Sequence, residues 1–266
     1  MALLFFLFVF FFGAIIGSFL TVIIDRLPKG ESVISGRSHC DHCRRTLNAL
    51  DLIPLFSYIF LRGQCRYCHK KLSLYYPIIE CVTGLLFTLI FFILIGFNVE
   101  LYFLDVRYFV SAFYFTLLTC SLILLFFIDL KYGLLPFKVI LFALFITFLW
   151  YSFSLPGGFL NPLLSGLGAF LFFLILFLVT KGRGMGFGDV IYALFMGFVL
   201  GFPKIILALY IAFFTGAIVS VLLIILKRKK LHGGTVPFGP FLVLGTFICL
   251  FWGQPLLDFL MRYLLK

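Results

Sequence analysis

Apolar residues in this chain run in long blocks and do not alternate with polar ones. The first block, 2–24, carries no charged residue. Seven more follow, at about 78–97, 107–128, 138–153, 163–180, 190–201, 205–226 and 237–260. A membrane-crossing helix needs about 20 mostly apolar residues. The blocks therefore predict an all-α polytopic protein with about eight transmembrane helices, of which the sixth, 190–201, is short. The first block is too long for the apolar core of a signal peptide and has no A-x-A cleavage site, so it is expected to be retained. Residues 154–162, Ser-Leu-Pro-Gly-Gly-Phe-Leu-Asn-Pro, read as a turn in which Pro and Gly break the helices.

Composition narrows the class. Of 266 residues, 64% are hydrophobic and only 12% charged, with 40 Phe and a mean hydropathy of +1.21. Soluble domains carry about 25% charged residues. A soluble globular enzyme, a disordered chain and a secreted disulfide scaffold are all excluded. The net charge of +11 is informative through its distribution. With the N-terminus outside, segments 25–77, 129–138, 181–189 and 227–236 are cytoplasmic and hold 17 of the 21 Lys and Arg. The far side keeps Arg107, Lys204, Arg262 and Lys266, beside Glu100 and Asp105. That bias follows the positive-inside rule. No basic stripe with interleaved aromatics lies outside the loops, so lipid is the expected partner and nucleic acid is not.

One long polar segment, 25–77, interrupts the pattern. It divides the chain into a first helix (1–24), a small cytoplasmic domain (25–77) and a transmembrane bundle (78–266). The domain has too little apolar content for a core of its own and needs a staple. Cys40-x2-Cys43 and Cys65-x2-Cys68 provide one. Two close thiol pairs across a loop supply the four corners of a tetrahedral Zn²⁺ site, and a reducing compartment disfavours disulfides. Four thiolates leave no open position for water, so the zinc is expected to be structural. Redox pairs or unligated thiols are the competing reading. His39, His42 and His69 flank the cluster and read as solvated neighbours. Cys81, Cys120 and Cys249 fall in apolar spans and read as small core residues.

Ionisable residues within or beside membrane spans are costly and become functional suspects. Asp129 ends the run Ser-Leu-Ile-Leu-Leu-Phe-Phe-Ile-Asp. Asp189 follows the glycines of Gly184-Met-Gly-Phe-Gly-Asp189 and opens the next apolar run. Both are expected at the cytoplasmic ends of spans. Facing each other, two carboxylates can share one proton, so that one activates a water while the other protonates a leaving amine. The plainer reading is that each is a helix-end residue, and Asp189 is well placed as a cap. Asp25, Glu80 and Asp258 carry the same plain reading.

Several blocks, in order, resemble the type IV prepilin peptidases, membrane aspartic proteases of the GxGD class. Gly17-Ser-Phe-Leu-Thr-Val-Ile-Ile-Asp-Arg-Leu-Pro28 is similar to the opening block, and the cysteine segment follows. Ile53-Pro-Leu-Phe-Ser-Tyr58, Leu61-Arg-Gly-Gln-Cys-Arg-Tyr-Cys68 and Tyr76-Pro-Ile-Ile-Glu80 come next. Phe127-Ile-Asp129 with Leu135-Pro136 resembles the block around the first catalytic Asp, and Gly184–Asp189 the block around the second. Pro237-Phe-Gly-Pro-Phe-Leu242 resembles the block opening the last span. The chain departs at Thr21, Phe137 and Ile191, where the family often has Asn, Asp and Lys, and no candidate carboxylate is lost.

The resemblance implies an enzyme of the bacterial inner membrane that cuts the short basic leader from prepilins or pseudopilins after a Gly, on the cytoplasmic side. Asp129 and Asp189 would be catalytic. Members with the cysteine domain usually also N-methylate the new terminus with S-adenosylmethionine, but no glycine-rich nucleotide fingerprint for that donor occurs in this chain. A peptidase without methylation is therefore a second reading. A channel, transporter or scaffold with a zinc-stapled loop is a third. It is opposed by spans built of Leu, Ile, Phe and Val with charge confined to their ends.

Overall fold

The computed structural model describes residues 2–33, 36–40, 42–96, 106–154, 158–226 and 237–264. Glu100, Asp105 and the basic segment 227–236 lie outside these residues. The chain forms two compact units, Met1–Leu124 and Leu125–Lys266. Among the described residues the regular elements are all helical, apart from two isolated β-bridges. Seven helices among the described residues are long and apolar enough to cross a membrane.

In the first unit α1 (Ala2–Arg26) packs antiparallel on α3 (Tyr75–Ile95), with a short α2 (Phe56–Phe60) between them in sequence. Small residues set how closely α1 and α3 approach. A β-carbon on Gly13 would sit 2.9 Å from Gly84 Cα, and one on Gly17 would sit 2.9 Å from Glu80 Cα. This is the small-residue contact expected where lipid offers no hydrophobic drive between helices. Helix α4 (Val106–Tyr132) carries the boundary between the units.

The second unit holds the end of α4, then α5 (Phe137–Ser154), α6 (Leu160–Val179), α7 (Phe187–Leu200), α8 (Lys204–Ile225) and α9 (Gly239–Leu264). Helix α7 is its centre. Ten of its 14 residues are buried, from Asp189 and Val190 to Val199 and Leu200. Helices α5, α6, α8 and α9 all pack on it. A helix apolar on every side belongs in a core, and here the surrounding helices turn their own outer faces, with Leu171, Ile175 and Phe214, to the lipid. The predicted span 190–201 thus corresponds to a helix that starts three residues earlier and rises only about 21 Å, at 1.5 Å per residue.

Polar side chains tie the far end of α7. The Tyr151 hydroxyl donates to Val199 O at 3.0 Å, taking up a terminal carbonyl. Asn161 accepts the Phe202 N–H at 2.7 Å and donates to Phe202 O at 3.1 Å. On the flank, α6 and α7 touch backbone to backbone. A β-carbon on Gly197 would lie 2.5 Å from Ser165 O and 2.7 Å from Gly166 Cα.

That contact predicts a large difference between two glycines. Gly197→Val should push α6 off α7 and destabilise the protein by about 1–3 kcal/mol, lowering its thermal midpoint in detergent. Gly168→Ala, at a site with no atom within 4 Å of the new β-carbon, should leave the midpoint unchanged or raise it.

Candidate functional site

Asp129 and Asp189 both fall in the second unit, and both are buried, at 5% and 8% exposure. Asp129 lies in the last turn of α4, before Gly133 ends the helix with φ +65 and its N–H bonded to Asp129 O. Asp189 lies in the first turn of α7. It is not the cap itself. From the third helical position its Oδ2 reaches back and accepts the Gly186 N–H at 3.0 Å, which satisfies an orphan donor at the helix start.

The surroundings of the two acids meet at Leu135. A β-carbon on Gly188 would stand 3.1 Å from Leu135 Cβ. One on Gly239 would stand 3.0 Å from Leu135 Cδ2 and 2.5 Å from Asp129 Oδ2. Gly239 therefore closes against the Asp129 carboxylate, where any larger residue would collide, and its backbone N–H interacts with that carboxylate. Asp129 and Asp189 are close enough for the charge of one to act on the other. Asp129 Oδ2 is buried and has no hydrogen-bond partner among the described residues.

Two contacts hold this arrangement. Tyr192, one turn past Asp189, shares a fully buried hydrogen bond of 2.9 Å with Thr246 of α9. The Thr246 hydroxyl donates to Leu242 O at 2.8 Å, so the Tyr192 hydroxyl is the donor to Thr246 Oγ1. The bond fixes the rotation of α7 against the helix that Gly239 begins. Phe238, just before Gly239, is gripped by Phe213 and Phe173 at ring distances of 5.1 and 6.5 Å. The Pro237–Leu242 block carried a resemblance but no role in the sequence; its role is the contact of Gly239 with Asp129.

The other suspected acids have structural partners. Glu80 is buried and accepts the Leu55 N–H at 2.8 Å. Asp258 is exposed and bonds Gln254 at 3.1 Å.

The four cysteines of 25–77 come together in the first unit. Their sulfurs all lie within 4.8 Å of one another, with Cys40 Sγ and Cys68 Sγ 3.9 Å apart. Sulfurs at the corners of a tetrahedral zinc, each at about 2.3 Å, would be about 3.8 Å apart, so the set fits such an ion. Each pair sits on the same turn. Cys40 N–H bonds Arg45 O and Arg44 N–H bonds Cys40 O. Likewise Cys65 N–H bonds Lys70 O and His69 N–H bonds Cys65 O. Arg44 and His69, which directly follow the second cysteine of each pair, both adopt φ +54. Isolated bridges His39–Thr46 and Gln64–Lys71 close the two knuckles. Burial pushes the Cys65 thiol up, but the backbone N–H groups of Cys68 and Tyr67, with the Cys40 and Cys68 thiols, outweigh it and bring it down to about 7. Cys81, Cys120 and Cys249 are free and lie apart from the cluster.

Residues 11–94 match the bacterial peptidase A24 N-terminal domain, and residues 116–221 match the type IV leader peptidase family. Three similar proteins all carry the name prepilin leader peptidase/N-methyltransferase. The Aeromonas hydrophila protein is 33% identical over 285 residues, covering 94% of this chain and 92% of its own. That of Bacillus subtilis (strain 168) is 30% identical over 260 residues, covering 95% and 96%. That of Legionella pneumophila is 30% identical over 279 residues, covering 95% and 93%. No solved structure matches. These matches place the multi-pass helical protein in a class, that of membrane peptidases. Within it the chain belongs to the type IV leader peptidase family. It is an enzyme, and the reading as a channel or scaffold falls.

The cluster has its own test. Protein purified without chelator should carry zinc in stoichiometric amount by elemental analysis. Cys40→Ser should lower that content and expose segment 25–77 to protease. Wild-type protein free of zinc would remove the metal from the fold.

Proposed function

We propose that this chain cleaves the basic leader from type IV prepilins or pseudopilins on the cytoplasmic face of the membrane, after a Gly, using Asp129 and Asp189. The supporting observation is that two buried acids, on separate helices, border one Leu135 wedge lined by Gly188 and Gly239. The relatives' names support the substrate. The orientation with the N-terminus outside rests on the Lys and Arg bias of the loops.

One proton is held between the two carboxyl groups. The ionised acid removes a proton from a water as the water's oxygen attacks the scissile carbonyl carbon. The protonated acid then gives its proton to the departing amide nitrogen as the C–N bond breaks. The dyad titrates as a unit, so the two roles belong to the pair and not to either residue. With the Gly186 N–H already on one Asp189 oxygen, Asp129 Oδ2 is the oxygen with most to gain from a bound water. The absence of side chains at Gly188 and Gly239 lets Leu135 and the Asp129 carboxylate pack directly against the backbone there.

Zn²⁺ on Cys40, Cys43, Cys65 and Cys68 is structural in this proposal. The relatives' second activity supports N-methylation of the new terminus. S-adenosylmethionine supplies the methyl group when bound, and the chain's part is to present the neutral terminal amine. A peptidase without methylation is the alternative, since no residue of this chain is assigned to the donor.

The decisive experiment is incubation of purified protein with a prepilin bearing its leader, with and without S-adenosylmethionine, and mass measurement of the product. A shortened product carrying one added methyl group is expected; a shortened product without it selects the simple peptidase. Asp129→Asn and Asp189→Asn should each lower cleavage by about 10²–10⁴-fold with zinc content and thermal midpoint retained. Full cleavage by either variant would take that residue out of the mechanism. Gly239→Ala should act like Asp129→Asn, through displacement of the Asp129 side chain.

A further inference from the structure

Within the polar segment lies a run with no charge, Leu52-Ile-Pro-Leu-Phe-Ser-Tyr-Ile-Phe-Leu61, bounded by Asp51 and Arg62. An apolar stretch of this length is too short to cross a membrane and fits a re-entrant or interfacial segment. Its large side chains are not in a core. Leu52, Ile53, Phe56, Ile59 and Phe60 are 41%, 42%, 44%, 69% and 80% exposed. In water that would be an apolar patch requiring a partner.

Two contacts fix its depth. Leu55 N–H bonds Glu80, and Glu80 sits level with Gly17 of α1. Phe56 stacks on Phe11 of α1, with ring centroids 5.6 Å apart. The apolar run of α1 ends at Asp25. Along the helix axis Gly17 lies about 12 Å below Asp25, and Phe11 about 21 Å below it. Were α2 in water, the membrane edge would fall near Phe11, leaving only about 15 Å of α1 for a hydrocarbon layer of about 30 Å. The whole run 2–24 spans about 34 Å, which matches that layer.

Most of the segment's backbone donors are paired locally. Pro54 has no N–H. The N–H groups of Phe56, Ser57, Ile59, Leu61, Arg62, Gly63 and Gln64 bond carbonyls within the segment. Leu55, held at φ +62, cannot use a local carbonyl and takes the Glu80 carboxylate instead. In lipid an amide with no local carbonyl requires such a partner, because an unpaired N–H there is costly.

We propose that residues 52–61 form a re-entrant segment seated in lipid acyl chains at the Arg26 end of α1, with Glu80 as the positioning residue that holds it. The expected cytoplasmic domain 25–77 is then divided. The cysteine knuckles lie in water and the stretch between them dips into the bilayer.

The test uses wild-type protein in phosphatidylethanolamine and phosphatidylglycerol vesicles. A hydrophobic carbene photolabel and a water-soluble one are applied in parallel, and the tryptic peptide 46–62 is sequenced by mass spectrometry. The hydrophobic reagent should mark Phe56, Ile59 and Phe60, and the aqueous one should not. Aqueous labelling of these residues overturns the proposal. So does protection from both reagents, which would mean a protein cover. A second measurement places Trp at Phe60 in a Trp150→Phe, Trp252→Phe background with retained zinc. Acyl-brominated lipid should quench it as strongly as a Trp at the lipid-facing Phe19, and far more than one at Tyr67 in a knuckle. Quenching no greater than at Tyr67 would count against the segment being in lipid.

Discussion

A 14-residue helix cannot span a hydrocarbon layer of about 30 Å, and the second unit is arranged around that shortfall. Terminal N–H and C=O groups of so short a helix need partners within the protein wherever lipid surrounds them. At the start, Asp189 takes the Gly186 N–H. At the end, Tyr151 takes Val199 O, and Asn161 takes both backbone groups of Phe202. Four helices close around the sides. The glycine contacts at Gly197 and Gly166 let α6 come close enough to complete the enclosure. The buried Asp189 carboxylate is thus first of all a partner for the start of a helix.

The proposed chemistry draws on what that requirement leaves over. Asp189 has one oxygen committed to the backbone, while Asp129 Oδ2 has no partner among the described residues. A polar atom left without a partner in apolar surroundings costs free energy. It therefore gains most when a water or substrate atom arrives. The tight fit of Gly239 against Asp129 and the Tyr192–Thr246 bond keep the carboxylates from relaxing toward other partners. Stiff packing here holds in place an incomplete hydrogen-bond network.

Much of this was legible in the sequence because membranes impose length and composition directly. The apolar blocks matched the long helices to within a few residues, and the C-x2-C pairs announced their knuckles by spacing alone. The apolar run by itself places the start of α7 at 190, after Asp189. The structure starts it at Phe187, since the Asp189 side chain replaces the missing intrahelical bond. The closeness of Gly239 to Asp129 could not be read, because it joins positions 110 apart in sequence through the packing of α4 and α9. The run 52–61 was hidden for another reason. Nine basic residues across 25–77 made the whole segment look aqueous, and an average over 53 residues conceals ten uncharged ones.

The buried acids can be sorted by their partners. Glu80 is as buried as Asp189, yet it receives the Leu55 N–H and the Ser18 side chain. Its charge and geometry are consumed by holding backbone in place, which is a structural duty. Asp189 divides its two oxygens between that duty and another. Asp129 has the Gly239 N–H beside its carboxylate, while its Oδ2 has no hydrogen-bond partner among the described residues. Burial does not distinguish the three carboxylates, and neither does position at a helix end, which is why the sequence left Glu80 and Asp189 under the same plain reading. What separates them is whether each oxygen already has a donor. By that criterion Asp129 and Asp189 keep carboxylate oxygens open for the dyad proposed above, and Glu80 belongs to the architecture of the first unit.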